Sequence, residues 1–255
     1  MYVPNPFGKT RTGVNPNGRT FFRAPSVVAA VSEDWKRLAG EAALAHVKDG
    51  MTVGLGTGST AAHAIHALAA AVRDHGWRVR GVATSVATEQ LAASLGIPLV
   101  TLEEAEAVDV AIDGADEVDP KRNLIKGAGG ALFREKVVAR AAAKLVIVVD
   151  VSKLVDVLGI KAPVPVEVHP FGWRGTKRLL EGLWCTAILR APDGVPYRTD
   201  NGNLVLDCRF GPIPKPEKLE REINNVPGVL ENGLFVGLAD VVLVGGGGGL
   251  RTLTV

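Results

Sequence analysis

Short apolar runs alternate with helix-like segments along much of this 255-residue chain, and this alternation restricts the fold more than any other feature. The apolar runs predict strands at residues 51–55, 79–84, 98–102, 108–112 and 145–149. Helices are predicted at residues 33–48, 59–73, 86–95 and from the 126–130 loop to about residue 144. Strands that are apolar throughout and separated by helices are typical of parallel βαβ units, whose sheet is covered on both faces. The sequence therefore predicts the α/β class, with an open, mostly parallel sheet and helices on both faces.

The pattern changes after Asp150. The predicted elements are then a strand (164–168), a helix (174–183), two strands (185–189 and 203–208), a helix (216–225) and a strand (233–236). This β-α-β-β-α-β order predicts a smaller, ferredoxin-like α+β domain. The apolar run 239–244 is expected to return to the first sheet, and the glycine run 245–249 to form a loop or turn. The expected organisation is a disordered arm (1–31), a large domain (32–160 with 238–255) and a small domain (161–237).

Composition excludes several classes of function. The formal net charge is +2 and no basic stripe is present, so a nucleic-acid partner is not expected. Apolar runs are far shorter than the ~20 residues of a membrane-spanning helix, and the basic segment 1–31 lacks the apolar stretch of a secretory signal. Cys185 and Cys208 form no disulfide framework and are interpreted as structural, which favours a cytoplasmic protein.

The first candidate site is the segment 56–60, Gly-Thr-Gly-Ser-Thr, between a predicted strand and a helix. Backbone amides and the helix dipole at such a position favour an anion, and three hydroxyls add donors, so the segment suits a phosphate. It is neither a Walker A loop nor a complete GxGxxG fingerprint, because Ser59 occupies the third glycine position. A tight turn that uses glycine only for its geometry is the structural alternative.

The second candidate is the pair Asp113 and Asp116, which follow a buried strand. Carboxylates at such a place are costly unless they are paired or used. Helix capping, turn formation or Mg²⁺ binding would also account for them.

The third candidate is the glycine-rich segment 126–136, which contains Lys126 and Glu135. Its glycines would let a small ligand approach the backbone, and Glu135 falls near the first turn of the next helix. A charge that complements the helix dipole is the structural alternative for Glu135, and a solvated loop lysine is the alternative for Lys126. His63 and His66 share a helix, but no third ligand accompanies them, so no metal site is predicted.

These segments also occur together in one family. The blocks GLGTGST, AIDGADEVD and KGAGGALFREK, in this order and spacing, resemble the signature blocks of type A ribose-5-phosphate isomerases. Residues 84–98, 149–153, 163–168 and 199–207 are also similar to that family, so the resemblance extends from about residue 33 to the C-terminus. It implies a Rossmann-like sheet with a ferredoxin-like lid, and the interconversion of ribose 5-phosphate and ribulose 5-phosphate in the non-oxidative pentose phosphate pathway. It also implies no metal, no cofactor, and a homodimer or homotetramer.

The resemblance implies that Glu135 is the general base and that Asp113, Asp116 and Lys126 line the reacting end of the sugar. For an enediolate mechanism we expect Lys126 to be the cation beside the developing charge, Asp113 the acid–base for ring opening, and Asp116 a group that orients hydroxyls or Lys126. The other implied substrate-binding residues are Thr57, Gly58, Ser59, Thr60, Gly114, Ala115, Gly127, Ala128, Gly129, Lys153 and Lys36.

Three other functions fit part of the pattern. A nicotinamide-dependent oxidoreductase would need the complete GxGxxG and an acidic residue after the second strand, and the sequence has neither. A sugar-phosphate sensor could use the same fold without needing Glu135. A sugar-phosphate deaminase would share the architecture, but the sequence blocks fit an isomerase better.

Overall fold

A computed structural model describes residues 12–14, 20–22 and 27–254, with side chains described from residue 32. The chain divides into two compact units, Met1–Asp34 and Trp35–Val255. In the first unit, strands β1 (Thr12–Val14) and β2 (Thr20–Phe22) pair in antiparallel fashion. The rest of the predicted disordered arm, up to residue 26, lies outside the described residues.

Six helices are described: α1 (Val27–Ala42), α2 (Ser59–His75), α3 (Val86–Ser94), α4 (Leu132–Ala141), α5 (Trp173–Glu181) and α6 (Pro216–Asn224). Short 3₁₀ helices cover Ala43–His46, Val151–Lys153 and Pro192–Gly194. The remaining strands are β3 (Thr52–Leu55), β4 (Arg80–Ala83), β5 (Val110–Asp113), β6 (Glu117–Val118), β7 (Leu124–Ile125), β8 (Leu145–Asp150), β9 (Val164–Val168), β10 (Thr186–Leu189), β11 (Leu204–Arg209), β12 (Val229–Asn232), β13 (Leu234–Phe235), β14 (Val241–Gly246) and β15 (Gly249–Thr254).

The large sheet has the strand order β15-β14-β8-β5-β3-β4. All its pairs are parallel except β14 with β15. Alternate residues of β8 enter different cores: Val146 packs in a cluster with Leu68 of α2, whereas Ile147 packs in a cluster with Val138 of α4. Because successive side chains of a strand point to opposite faces, this division shows that both faces of the sheet are covered by helices. The predicted parallel α/β sheet is therefore confirmed.

The small sheet has the order β10-β11-β9-β12 and is antiparallel throughout. Its core contains Leu180 of α5 and Ile223 of α6, packed with Val166 of β9 and Leu206 of β11. The element order β9-α5-β10-β11-α6-β12 is the β-α-β-β-α-β order of the ferredoxin-like prediction.

Two of the predicted strands, 98–102 and 233–236, differ from the structure. Residues 98–102 do not form a strand: Leu99 makes one isolated bridge to Gly81, and Thr101 then bonds reciprocally with Glu104 and turns the chain away. The fourth strand of the small sheet is β12, not 233–236. Leu234 and Phe235 form β13 instead, which pairs with β7 in a separate sheet of order β13-β7-β6.

Two further differences lie near the chain ends. Helix α1 begins at Val27 and not near Glu33. The glycine run 245–249 is not only a loop, because Gly245 and Gly246 end β14 and Gly249 begins the antiparallel strand β15.

Candidate active site

A cavity of about 190 Å³ lies at the carboxyl ends of strands β3 and β5, next to the loop that precedes α4. Its lining residues are Thr57, Gly58, Ser59, Thr60, Gly114, Ala115, Asp116, Lys126, Gly127, Ala128, Gly129, Glu135 and Lys153. The three segments singled out in the sequence therefore meet at one place, as expected for the carboxyl edge of a parallel sheet. Of the predicted site residues, Asp113 and Lys36 are not in the lining: Asp113 lies behind it and contacts the lining residues Lys126, Thr57 and Gly114, whereas Lys36 lies on α1.

Lys126 is at the centre of a buried cluster of charges. Its Nζ lies 3.1 Å from Asp113 Oδ2 and 3.2 Å from Glu135 Oε2, and it donates a 2.7 Å hydrogen bond to Gly114 O. Burial alone would lower the pKa of Lys126, but the carboxylates of Asp113 and Glu135 outweigh burial and raise that pKa above its ordinary value. Lys126 is therefore a buried cation that lines the cavity and is held in place by three partners.

Asp113 is held from two directions at the end of β5. Its Oδ1 accepts hydrogen bonds from the amides of Thr57 and Gly114, at 3.2 and 2.7 Å. Gly56 makes this close approach possible, because a Cβ at that position would collide with the Asp113 carboxyl group. Burial raises the pKa of Asp113, although Lys126 and the two amides favour its ionised form.

Glu135 belongs to the first turn of α4 and is 4% exposed. Among the described residues, none donates a hydrogen bond to its Oε2, although Lys126 Nζ is 3.2 Å away. Burial raises the pKa of Glu135 to about 8, the Asp113 charge adds to the rise, and Lys126 opposes it. A buried carboxyl group that lines the cavity and has a pKa raised to about 8 is suited to accept and return a proton.

Asp116 takes a different place from Asp113. Its Oδ2 accepts a 2.9 Å hydrogen bond from the amide of Ala128, and its own amide donates to Ile125 O at 2.7 Å. Asp116 thus fixes the glycine-rich loop and lines the cavity. Within the described parts of the chain, no cluster of three or more His, Cys, Asp or Glu side chains could hold a metal ion.

The predicted phosphate segment forms the opposite side of the cavity. Gly58 has φ +116° and precedes Ser59, the first residue of α2, so the free amides of the first helical turn are at the cavity. The Thr57 hydroxyl has protein partners: it bonds with the hydroxyls of Thr84 and Ser85, at 2.9 and 2.8 Å. The side chain of Thr57 therefore links β3 to β4, which leaves Ser59 and Thr60 as the hydroxyl donors of this segment.

A larger cavity of about 540 Å³ lies beside α4 and is lined partly by Leu99, Phe133 and Val137. The buried Asp113, Lys126 and Glu135 side chains are not in its lining. Volume would favour this cavity, but the chemistry favours the smaller one, because the smaller one is lined by the buried ion pair of Lys126 and Glu135.

Comparison with known proteins is consistent with this geometry. The family model described as Ribose 5-phosphate isomerase A (phosphoriboisomerase A) matches residues 80–249. The ribose-5-phosphate isomerase A of Synechococcus sp. (strain JA-3-3Ab) is 50% identical over 88% of this chain and 98% of its own length. This chain belongs to the ribose-5-phosphate isomerase A family.

Solved structures agree with the family assignment. The ribose 5-phosphate isomerase A of Methanocaldococcus jannaschii has a TM-score of 0.84 and 46% identity, and the match covers 88% of this chain and all of the other. A D-ribose-5-phosphate isomerase solved in complex with phospho-erythronic acid has a TM-score of 0.86 and 41% identity, over 88% of this chain and 99% of its own. The family interconverts ribose 5-phosphate and ribulose 5-phosphate, so the predicted aldose–ketose isomerase is confirmed. In the part of the chain that the structure describes, no helix is long and apolar enough to cross a bilayer.

Two residues at this isomerase-family site were missed by the sequence analysis. Arg190 donates to Gly127 O and Ala128 O at 2.9 and 3.0 Å, and the Tyr197 hydroxyl donates to Gly129 O at 3.1 Å. Both residues belong to the segment between β10 and β11 of the small sheet. No motif marks them, because their contacts depend on how the two sheets pack; the one usable signal was that Arg190 follows directly after a predicted strand.

Proposed function

We propose that this protein isomerises ribose 5-phosphate by proton transfer through an enediolate, with Glu135 as the general base. The observation that carries the proposal is the buried Glu135 carboxyl group, whose Oε2 accepts no hydrogen bond from the described residues and whose pKa is raised to about 8. A carboxylate of this kind takes the proton from C2 of the aldose and returns it to C1. The same group serves both steps only if it reaches both carbons, which fits a single side chain at the edge of a small cavity.

Lys126 is the proposed stabiliser of the enediolate oxygen. Its charge is fixed by Asp113 and by the 2.7 Å hydrogen bond to Gly114 O, and it lies 3.2 Å from the proposed base. A preorganised donor at a developing oxyanion contributes about 3 kcal/mol to the transition state. Because Lys126 is held before substrate arrives, little reorganisation accompanies the reaction.

The two aspartates take separate proposed roles. Ribose 5-phosphate is mostly a closed ring, and Asp113, whose pKa is raised by burial, is the acid–base that assists its opening. Asp116, which bonds the Ala128 amide, orients the glycine-rich loop and the substrate hydroxyls.

The phosphate is proposed to bind at the N-terminus of α2. Ser59, Thr60 and Lys153 line that side of the cavity and supply two hydroxyls and one cation. A relative was solved with phospho-erythronic acid, a phosphorylated sugar acid, which supports a phosphorylated sugar as the ligand of this cavity. The phosphate does not react, but its binding energy holds the sugar in a reactive pose.

The test is the reaction itself. Protein treated with a chelator is mixed with ribose 5-phosphate in D₂O and followed by proton NMR. We expect ribulose 5-phosphate to appear with deuterium at C1, and incomplete deuteration if Glu135 shields its proton from solvent. Binding without ketose formation would support a sugar-phosphate sensor instead.

Glu135→Gln tests the base directly. We expect turnover to fall by about 10²- to 10⁴-fold with little change in substrate binding, because the amide cannot accept the proton. Glu106→Gln, at an exposed glutamate outside the cavity, is the matched control and should keep full activity. Near-normal turnover in Glu135→Gln would reject Glu135 as the base.

A cytoplasmic location remains a prediction from the cysteine content, and a homodimer or homotetramer remains a prediction from the resemblance. Size-exclusion chromatography with light scattering would measure the oligomeric state.

A further inference from the structure

The small sheet contacts the glycine-rich wall of the site through Arg190. The guanidinium group bonds two consecutive loop carbonyls, Gly127 O at 2.9 Å and Ala128 O at 3.0 Å. Its remaining nitrogens form a two-point ion pair with Asp207, at 3.0 and 2.5 Å. Arg190 is therefore fixed on one side by a carboxylate and fixes the loop on the other.

The loop depends on such contacts because a cavity lies on each side of it. On one side it borders the 190 Å³ cavity, and on the other a cavity of about 260 Å³ that Asp116, Ala128, Arg190 and Asp207 help to line. Ala128 lines both cavities, so side-chain packing does not fix the loop at this point. The orientation of its carbonyls depends on hydrogen bonds, and Arg190 supplies two of them.

These two hydrogen bonds determine where the loop amides point. In a trans peptide the C=O of one residue and the N–H of the next point in opposite directions. Arg190 donates a hydrogen bond to Gly127 O. The following amide, Ala128 N–H, points away from Arg190 and donates to Asp116 Oδ2 at 2.9 Å. Arg190 also donates a hydrogen bond to Ala128 O, so the Gly129 N–H of the same peptide points away from Arg190. Gly129 lines the substrate cavity and not the cavity on the Arg190 side.

The Gly129 amide is available to a ligand. Gly129 lines the substrate cavity, and among the described residues no acceptor bonds its N–H. Arg190 itself is outside that cavity lining, so it does not contact the substrate.

We infer that Arg190, braced by Asp207, is a positioning residue that aims the Gly129 amide at the enediolate oxygen opposite Lys126. The inference rests on the proposed isomerisation. It adds a second donor to the oxyanion site and gives the small sheet an indirect part in catalysis, through the orientation of the loop. Tyr197 contributes to the same loop through Gly129 O.

Arg190→Ala is the test. Loss of a transition-state donor lowers turnover, and we expect kcat to fall about 10- to 100-fold while KM changes less than about threefold. Arg190→Lys should recover only part of the loss, because one ammonium group does not reproduce the forked contacts with Asp207 and two carbonyls. Added guanidinium ion should restore activity to Arg190→Ala but not to Glu135→Gln.

Arg198→Ala is the matched control, because Arg198 is an exposed arginine of the same segment that bonds Gly202 O and not the loop. Unchanged kcat in Arg190→Ala, or an equal loss in Arg198→Ala, would overturn the inference. So would a folded Arg190→Ala protein that loses activity only through KM.

A binding measurement separates this inference from the proposed function. Phospho-erythronic acid carries a carboxylate, which we expect to bind the same donors as the enediolate oxygen. Calorimetry should then show about 10-fold weaker binding to Arg190→Ala than to the wild type. If the wild type binds this acid but does not isomerise the sugar, the proposed function fails while the positioning inference is still decided by the affinity ratio. Equal affinities would reject the positioning role.

Discussion

At the residue scale, Glu135 shows how one carboxyl group is adapted for proton transfer. Its burial disfavours the charged form, and Asp113 repels that charge further, while Lys126 limits the effect. The result is a pKa of about 8, near the pH at which a base is most useful. The same carboxyl group on the surface would stay ionised and would be a weaker base.

This pKa predicts the pH dependence of catalysis. The free enzyme must lose the Glu135 proton, so kcat/KM should rise about tenfold per pH unit and level off near pH 8. Initial rates between pH 6.5 and 9 would measure it, a range that avoids the titration of the substrate phosphate near pH 6. In Asp113→Asn, kcat/KM should level off at a lower pH, because the Asp113 charge helps to raise the pKa of Glu135. A flat profile over this range would contradict the assignment.

At the element scale, the ends of strands and helices bring the chemistry together. Asp113 ends β5, Glu135 is in the first turn of α4, and Lys126 follows β7. Because each side chain is close to the end of a rigid element, small changes in strand spacing would alter the distances among the three charges.

The contact of Gly56 with Asp113 gives a sharp prediction. In Gly56→Ala, the new Cβ would collide with the Asp113 carboxyl group and displace it. We expect a loss of about 1–3 kcal/mol in unfolding free energy together with a large loss of kcat.

Gly175→Ala is the matched control. Gly175 lies within α5, where a new Cβ would meet nothing closer than Arg178 at 4.0 Å. Alanine there should stabilise the protein by about 0.5–1 kcal/mol and leave activity unchanged. Thermal and urea unfolding would measure the unfolding free energy of both variants. Equal changes in Gly56→Ala and Gly175→Ala would contradict the predicted collision with Asp113.

Elements buried on both faces could be predicted from the sequence, and marginal ones could not. Strand β8 is apolar along Leu145–Val149 because helices cover both its faces, and that signal is local. Strands β6 and β7 have two residues each, too few to show any period. Strand β15 is mostly exposed at the edge of the large sheet, so its composition carries no burial signal.

Most of the candidate site could be predicted because its residues lie in local sequence patterns, whereas two residues that reach it from a distant segment were missed. The segments around Thr57, Asp113 and Glu135 combine glycines with polar groups at the ends of predicted elements, which is a local pattern. Arg190 and Tyr197 reach the site only through the packing of the small sheet on the glycine-rich loop. Contacts between segments more than 60 residues apart leave no pattern in a single sequence.

At the scale of the whole molecule, the buried Glu135 carboxyl group should lower the free energy of unfolding as the pH rises. Glu135 has a folded-state pKa of about 8, whereas the ordinary pKa of a glutamate is 4.5, so the folded state binds its proton more tightly than the unfolded state does. The resulting stabilisation is fully present below pH 4.5 and is lost as the pH rises through 8. Each unit of pKa shift corresponds to about 1.4 kcal/mol.

Glu135→Gln should therefore become more stable than the wild type as the pH rises. We expect the two unfolding free energies to be similar near pH 5 and to differ by on the order of 2–4 kcal/mol at pH 8.5, in favour of the variant. Urea unfolding at both pH values would measure this, with Glu106→Gln as the control. A gap that does not change with pH would contradict the raised pKa.

The strand order of the large sheet also bears on how the chain is made. Strands β8 and β14 are parallel neighbours, yet about 90 residues, including the whole small sheet, separate them. At a synthesis rate of about 5–20 residues per second, the apolar edge of β8 waits roughly 5–20 s for its partner. During that interval the nascent chain presents an unpaired strand edge that other chains could join. Because β8 and β14 are so far apart in the sequence, the completion of the large sheet is a late event in folding. Chaperone protection is then most valuable while the small sheet is still being synthesised.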